Sequence, residues 1–137
     1  MKTKYLLAYM DMLERFAETS EATRLKVASC LIKNGNPIAL GVNGTLKGWE
    51  TNICEGEDGL TLPNVVLHSE INCLNRLRKM NETSVGATMM ITHAPCLRCS
   101  HELVEAEIIK VYYRHDFKCS DGIKYLKENG VVVYKLE

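Results

Sequence analysis

Residues 87–113 read ATMMITHAPCLRCSHELVEAEIIKVYY and carry the strongest indication of the fold class. The apolar run Ala87–Thr92 is typical of a buried strand, Leu97–Ala106 has a helical pattern, and Ile108–Tyr113 is rich in β-branched and aromatic residues. A strand, a helix and a second strand in succession predict a crossover connection between parallel strands. The stretch therefore indicates an α/β fold with a parallel portion of sheet.

The sequence on either side of this stretch continues the alternation. A helical pattern spans Asp121–Glu128, Gly130 stands where it would end that helix, and Val131–Tyr134 predicts a last strand. Upstream, Ser69–Met80 carries apolar residues at helical spacing, so a helix also precedes the first of these strands.

The N-terminal part predicts a helix followed by a β-hairpin. Apolar residues recur at spacings of three and four over Thr3–Phe16, which is typical of an amphipathic helix. Two apolar runs, Val27–Ile32 and Pro37–Val42, flank Asn34-Gly35-Asn36, a sequence suited to a hairpin turn. The whole pattern predicts a five-stranded mixed sheet with helices on both faces and with the last two strands parallel.

Length and composition narrow the class of protein. We expect one domain over 1–137, without a separate targeting module. Hydrophobic residues make up 46% and charged residues 25%, which excludes a disordered chain, a coiled coil and a collagen. Lys plus Arg and Asp plus Glu number 17 each, so the formal net charge of zero disfavours a polynucleotide partner and favours a small ligand.

The N-terminus predicts neither a secretion signal nor a membrane span, because Asp11 and Glu14 interrupt the apolar run that begins at Tyr5. We therefore expect no membrane partner and a cytoplasmic location (the host cytoplasm for a viral protein). The six cysteines should then be thiols or metal ligands rather than disulfides. The segment 47–63 has no sustained period and predicts a functional loop.

Two short motifs carry chemistry, and each stands at the start of a predicted helix: His68-Ser69-Glu70 and Pro95-Cys96-Leu97-Arg98-Cys99. Taken alone, Cys-x-x-Cys is typical of half a zinc site or of a redox pair, and it also arises by chance. A structural zinc site would need two similar knuckles, and the sequence has no second Cys-x-x-Cys. His68, Cys96 and Cys99 supply three ligands for one catalytic zinc ion and leave the fourth position open to water.

Glu70 follows His68 by two residues, a spacing that can set its carboxylate beside the metal-bound water without making it a ligand. Zinc lowers the pKa of the water it binds and holds a hydroxide near a ring carbon that bears an amino group. A single carboxylate can take the water's proton and pass protons to the ring nitrogen and to the departing ammonia. Glu70 is placed for that role.

The motif His-x-Glu followed by Pro-Cys-x-x-Cys is the signature of zinc nucleobase deaminases. From about Thr23 to Tyr134 the chain resembles the deoxycytidylate (dCMP) deaminases. The resemblance also rests on Arg24-Leu25-Lys26-Val27 before the first strand, on Gly41-Val42-Asn43-Gly44-Thr45, and on Val111-Tyr112-Tyr113-Arg114. The chain departs from the family at Ser69, at Val42 and at Ala28-Ser29, where the family commonly has Ala, Tyr and Gly-Ala.

The resemblance implies a three-layer cytidine-deaminase-like fold and the hydrolysis of dCMP to dUMP and ammonia, with zinc hydroxide attacking C4 and Glu70 as the proton shuttle. This reaction would supply dUMP for dTMP synthesis. The resemblance implies substrate contacts by Asn43 with the deoxyribose, by Gly44, Thr45, Arg24 and Arg114 with the 5′-phosphate, by Tyr113 over the base, and by Ala94. It also implies a homohexamer and control by dCTP and dTTP, with Mg²⁺ accompanying the triphosphate.

Two other kinds of function stay open at this point. The same zinc chemistry would suit another substrate, such as cytidine, deoxycytidine, a free base, dCTP or an adenosine in tRNA. A zinc-stabilised binding protein without turnover would use the same ligands, but it has no chemical need for Glu70.

Overall fold

The computed structural model describes residues 1–137 and contains four helices and seven strands. In chain order these are α1 (Thr3–Ala17), β1 (Ala28–Lys33), β2 (Asn36–Val42), β3 (Gly44–Thr45), β4 (Val66–Leu67), α2 (Ser69–Lys79), β5 (Thr88–His93), α3 (Leu97–Glu105), β6 (Lys110–His115), α4 (Asp121–Glu128) and β7 (Val132–Lys135). No helix combines the length and the apolar character that a membrane span requires.

Five of the strands form one mixed sheet in the order β2-β1-β5-β6-β7. β1 pairs antiparallel with β2 and β5, whereas the β5–β6 and β6–β7 pairs are parallel and are connected through α3 and α4. The predicted five-stranded mixed sheet with parallel last strands is thereby confirmed. β3 and β4 form a separate antiparallel pair that the sequence pattern did not indicate.

The sheet lies between α1 on one face and α2, α3 and α4 on the other. Met89 and Ile91 of β5 pack on the face that carries three helices, and Met90 between them packs against α1. All three side chains are fully buried. A strand that is covered on both faces has no solvent-facing positions, which explains the unbroken apolar run in its sequence.

The strand predicted over Ile108–Tyr113 begins at Lys110 instead, because the turn that ends α3 includes Ile108. Glu107 is left-handed with φ of 59°, and the amides of Glu107 and Ile108 donate to the carbonyls of Val104 and Leu103 at 3.0 and 3.1 Å. These two bonds form a Schellman motif, in which the residue after the left-handed one packs back onto the helix. Ile108 is accordingly buried in the turn.

Two glycines let the elements that carry the motifs approach one another closely. A Cβ on Gly41 of β2 would overlap the Ser69 carbonyl oxygen and lie 2.6 Å from the Cys73 amide nitrogen of α2. A Cβ on Gly122 of α4 would overlap the Pro95 carbonyl oxygen. The first contact seats the N-terminus of α2 against the sheet, and the second seats the segment before α3 against α4.

Candidate active site

The two sequence motifs meet at the N-termini of α2 and α3. His68 has an extended backbone and directly precedes α2, and Cys96 holds the same position before α3. The Cys99 amide donates to Cys96 Sγ at 3.4 Å, so this sulfur caps its own helix. Helix N-termini carry partial positive charge, and two of them at one place favour thiolates there.

His68, Cys96 and Cys99 offer three ligand atoms that all lie within 4.8 Å of one another. His68 Nδ1 lies 3.5 Å from Cys96 Sγ and 3.2 Å from Cys99 Sγ. Tetrahedral zinc, with bonds of about 2.05 Å to nitrogen and about 2.3 Å to sulfur, places these two atom types about 3.5 Å apart. The spacing and the set of one imidazole and two thiols therefore fit zinc, with one position left for a small ligand.

The two thiols of this cluster influence each other's ionisation. A hydrogen bond from the Cys99 thiol lowers the pKa of Cys96 to about 4, against the opposing effect of burial. The Cys96 sulfur and burial together raise the pKa of Cys99, and the bond to Cys96 raises the pKa of His68. One thiolate is thus favoured by the protein alone, whereas a bound cation stabilises both. All six cysteines of the chain are free of disulfides.

Glu70 lies in the first turn of α2 and is only 3% exposed. Its Oε1 accepts a hydrogen bond from the Ser69 hydroxyl at 2.7 Å, which orients the carboxyl group. Burial raises the pKa of Glu70, and the bond from Ser69 opposes part of that rise. A carboxyl group that holds a proton more readily than usual suits a residue that must accept a proton and release it again.

A cavity of about 700 Å³ opens beside this cluster. Its wall combines the segment before β1, Asn43 after β2, the first turn of α2, and the residues at and beyond the carboxyl ends of β5 and β6. Ligands of open α/β sheets bind at the carboxyl ends of parallel strands. The cavity therefore lies where this architecture places ligands, and it is large enough for a nucleotide.

Three of the residues expected to contact substrate line this cavity together with His68 and Cys96: Arg24, Asn43 and Ala94. The Asn43 side chain also shapes the wall, because its Oδ1 accepts from the Val27 amide at 2.9 Å and its Nδ2 donates to the Leu25 carbonyl at 2.7 Å. The second Nδ2 proton is left without a protein partner and is available to a ligand.

Gly44, Thr45 and Tyr113 lie outside the lining of this cavity. Gly44 and Thr45 form β3 and line a neighbouring cavity of about 420 Å³, which shares Asn43 with the first. Tyr113 lies inside β6, and this strand reaches the cavity only at its last residue, His115.

Arg114 lies on the face of the sheet that α1 covers, where it pairs with two acidic residues of that helix. Alternation along β6 turns it toward α1, where its guanidinium lies 2.9 Å from Asp11 and 3.9 Å from Glu14. Two carboxylates therefore compensate its charge, and Arg114 does not line the cavity.

Sequence reasoning missed the last residue of β6 and the three residues that follow it. Residues 115–118 line the cavity, and they add a cation that the sequence analysis had not singled out, Lys118. Neither Lys118 nor Arg24 forms an ion pair, whereas Asp116, which also lines the cavity, is bonded to Lys135 at 2.8 Å. The signal that could have found residues 115–118 is their position directly after the carboxyl end of a parallel strand.

Comparison with known proteins identifies the family. A model of the cytidine and deoxycytidylate deaminase zinc-binding region matches residues 3–115. This span contains His68, Glu70, Cys96 and Cys99, which are the residues of the cluster described above.

Individual relatives agree with the family match. The dCMP deaminase of cyanophage S-TIM5, solved in complex with dCMP and dUMP, superimposes with a TM-score of 0.95 at 43% identity over 99% of both chains. ComE operon protein 2 of Bacillus subtilis (strain 168) is 30% identical over an alignment of 138 residues, which covers 98% of this chain and 70% of that protein. The deoxycytidylate deaminase of Mycobacterium phage D29 is 28% identical over 110 residues, 71% of this chain and 84% of that enzyme. With its zinc-binding set assembled and this family matched over most of its length, the chain belongs to the cytidine and deoxycytidylate deaminases.

Proposed function

We propose that the protein hydrolyses dCMP to dUMP and ammonia. The observation that carries the proposal is the buried Glu70 carboxyl, which lines one cavity with His68 and Cys96, two members of the cluster that Cys99 completes. The S-TIM5 enzyme, which superimposes on 99% of this chain, binds dCMP and dUMP, and this supports the choice of substrate.

Glu70 performs the proton transfers of this reaction. Water adds to C4 of the cytosine ring while the Glu70 carboxylate takes one of its protons, and Glu70 then delivers that proton to N3. Glu70 next takes the remaining proton from the new C4 hydroxyl and gives it to the exocyclic nitrogen. The C4–N bond breaks, ammonia leaves, and the ring keeps a carbonyl at C4. The Ser69 hydroxyl holds the carboxylate in place through these steps.

His68, Cys96 and Cys99 would hold a zinc ion, which supplies a Lewis acid that makes water nucleophilic near neutral pH. The contribution of the chain is to fix the three ligands in place. The imidazole stands at the start of α2 and both sulfurs stand at the start of α3, so each ligand is carried by a helix end that packs on the sheet.

Arg24 and Lys118 bind the 5′-phosphate in this proposal. Both line the cavity, and neither forms an ion pair with a carboxylate of the protein, so both charges are available to an anionic ligand. Asn43 donates its remaining Nδ2 proton to the deoxyribose, and Ala94 contacts the base.

A substrate panel tests the proposal and separates it from the alternatives. Zinc-loaded protein is assayed with dCMP, deoxycytidine, dCTP and tRNA. We expect loss of the cytosine absorbance of dCMP, and a kcat/KM for deoxycytidine that is lower by at least about 10²-fold, because the phosphate contacts are absent. Comparable kcat/KM values for dCMP and deoxycytidine would contradict the roles of Arg24 and Lys118. Absence of turnover on every substrate would favour a zinc-binding protein without catalysis.

The proposal extends to a cytoplasmic homohexamer controlled by dCTP and dTTP together with Mg²⁺. Light scattering checks the assembly, because a hexamer would have six times the chain mass of 15.5 kDa. Rates measured with dCTP or dTTP, with and without Mg²⁺, check the control. A monomer, or rates insensitive to both effectors, would remove these parts of the proposal and leave the reaction itself untouched.

A further inference from the structure

The segment 23–27, which leads into β1, has no regular secondary structure although it forms part of the cavity wall. Its backbone polar groups must therefore find partners outside helices and sheets. Two side chains from distant parts of the chain supply such partners. Asn43 holds the second half of the segment, and Glu55 holds the first half.

Glu55 makes three hydrogen bonds to Thr23 and Arg24. Its Oε2 accepts from the Thr23 amide at 3.1 Å and from the Arg24 amide at 3.2 Å, and its Oε1 accepts from the Thr23 hydroxyl at 3.0 Å. Bonds to an ionised carboxylate are roughly twice as strong as bonds between neutral groups. Burial alone would raise the pKa of Glu55, but these bonds, together with the charge of Arg24, outweigh it and lower that pKa, so the carboxylate is ionised at neutral pH.

The segment that presents Glu55 is itself anchored to the protein. Glu55 pairs with Thr61 in an isolated β-bridge, and Thr61 lines the cavity. The neighbouring Cys54 side chain is only 1% exposed and packs in a small apolar cluster. The segment 47–63, for which the sequence predicts a functional loop, therefore contributes Thr61 to the cavity wall and holds Glu55 against the segment before β1.

We propose that Glu55 is a positioning residue for phosphate recognition. By fixing the amides of Thr23 and Arg24, it sets the direction in which the Arg24 side chain leaves the backbone at the cavity wall. The Arg24 guanidinium forms no ion pair, and its charge lowers the pKa of Glu55 less than the two backbone hydrogen bonds do, so the hold on the backbone is the main constraint on Arg24. The inference rests on the proposed function, in which Arg24 binds the 5′-phosphate, and it makes Glu55 a determinant of selectivity for a nucleotide over a nucleoside.

Glu55 affects phosphate binding in two ways that have opposite signs. Its hold on the backbone of Arg24 favours binding, whereas its negative charge repels a phosphate group. Glu55 itself does not line the cavity, and salt screens the repulsion between charges near solvent, so we expect the repulsion to be weak. We therefore expect positioning to be the larger effect, and the sign of the change in KM decides between them.

The test compares Glu55→Gln and Glu55→Asp with Glu57→Gln as a matched control. Gln removes the charge, and Asp keeps the charge but shortens the side chain. Glu57 is an exposed carboxylate of the same segment without a hydrogen-bond or ion-pair partner. We expect both Glu55 variants to raise the KM for dCMP about tenfold by displacing Arg24, with kcat and the kcat/KM for deoxycytidine within about twofold of wild type. The control should match wild type.

Four results would overturn the inference. A lower KM for dCMP in Glu55→Gln is what a purely repulsive charge predicts. An unchanged KM for dCMP in Glu55→Asp would show that the length of the side chain has no effect on phosphate binding. Equal losses with dCMP and deoxycytidine would assign Glu55 a general structural role. Hydrogen exchange of the Thr23 and Arg24 amides needs no substrate and should accelerate in Glu55→Gln. Unchanged exchange refutes the inference itself, whereas a wild-type protein that leaves dCMP intact refutes the proposed function.

Discussion

At the level of single residues, Glu70 combines burial with a hydrogen bond from Ser69 and a place beside three side chains that could hold a metal ion. Its carboxyl is a neighbour of the metal cluster, which consists of the other three side chains. Substitution at this position should therefore separate proton transfer from metal binding.

We expect Glu70→Gln to lower kcat for dCMP by roughly 10²–10⁴-fold, because the amide cannot take or give the protons of the reaction. The zinc content of the variant, measured by elemental analysis, should equal that of wild type, and so should its melting temperature within a few degrees. Turnover at the wild-type rate with normal zinc content would show that another group shuttles the protons.

Lys118 lines the cavity and is a proposed contact of the 5′-phosphate. Lys118→Gln should raise the KM for dCMP about tenfold and leave the kcat/KM for deoxycytidine unchanged, because it removes one of the two unpaired cations of the cavity. Steady-state kinetics with both substrates measure this. Lys124→Gln, an exposed position on α4, serves as the control. A uniform loss with both substrates would contradict a phosphate contact.

At the level of elements, the position of the metal cluster depends on how closely β2 packs against α2. The atoms that a side chain on Gly41 would meet belong to the backbone of α2, so they cannot move aside without moving the helix that carries His68 and Glu70. A substitution at Gly41 therefore disturbs stability and the site together.

Gly41→Ala should lower the free energy of unfolding by about 3 kcal/mol, the upper end of the range for overpacking. Gly44→Ala is the matched control, because a Cβ there meets nothing within 4 Å, and it should change stability by less than about 0.5 kcal/mol. Urea denaturation measures both. Equal stability of the two variants would show that β2 and α2 separate without cost.

The link between Glu55 and the segment before β1 predicts a dependence of stability on pH. The folded protein lowers the pKa of this carboxyl from its ordinary value of 4.5, so the stabilisation is complete above that value and is lost as the pH falls through the lowered pKa. The difference in free energy of unfolding between wild type and Glu55→Gln should therefore shrink as the pH falls below 4.5. A difference that is constant from neutral pH to about pH 3 would contradict it.

The order of elements and the metal cluster could be predicted from the sequence, because each depends on local information. The run Ala87–Thr92 reveals a strand buried on both faces, and each half of the cluster lies within one short motif. The start of β6 could not be predicted, because α3 ends with a left-handed Glu107 where the pattern shows no glycine. The cavity wall could not be predicted either, because it depends on which strand ends share an edge and on the alternation that turns Arg114 toward α1.

For the whole molecule, the order of strands explains why the site is where it is. β5 and β6 are neighbours in the centre of the sheet, so the segments after their carboxyl ends, with Cys96 and Lys118, lie at one edge. The formal net charge is zero, yet two unpaired cations line the cavity beside a buried carboxyl. Local placement of charge, rather than net charge, thus suits the protein to one small anion.

The proposed reaction adds water to C4 of dCMP and releases ammonia. Zinc-loaded protein incubated with dCMP in ¹⁸O-labelled water, followed by mass spectrometry of the product, tests it directly. We expect dUMP that carries one ¹⁸O atom on the base, an equal amount of ammonia, loss of both after treatment with a chelator, and recovery on addition of zinc. Absence of dUMP, or dUMP without the label, would contradict the account.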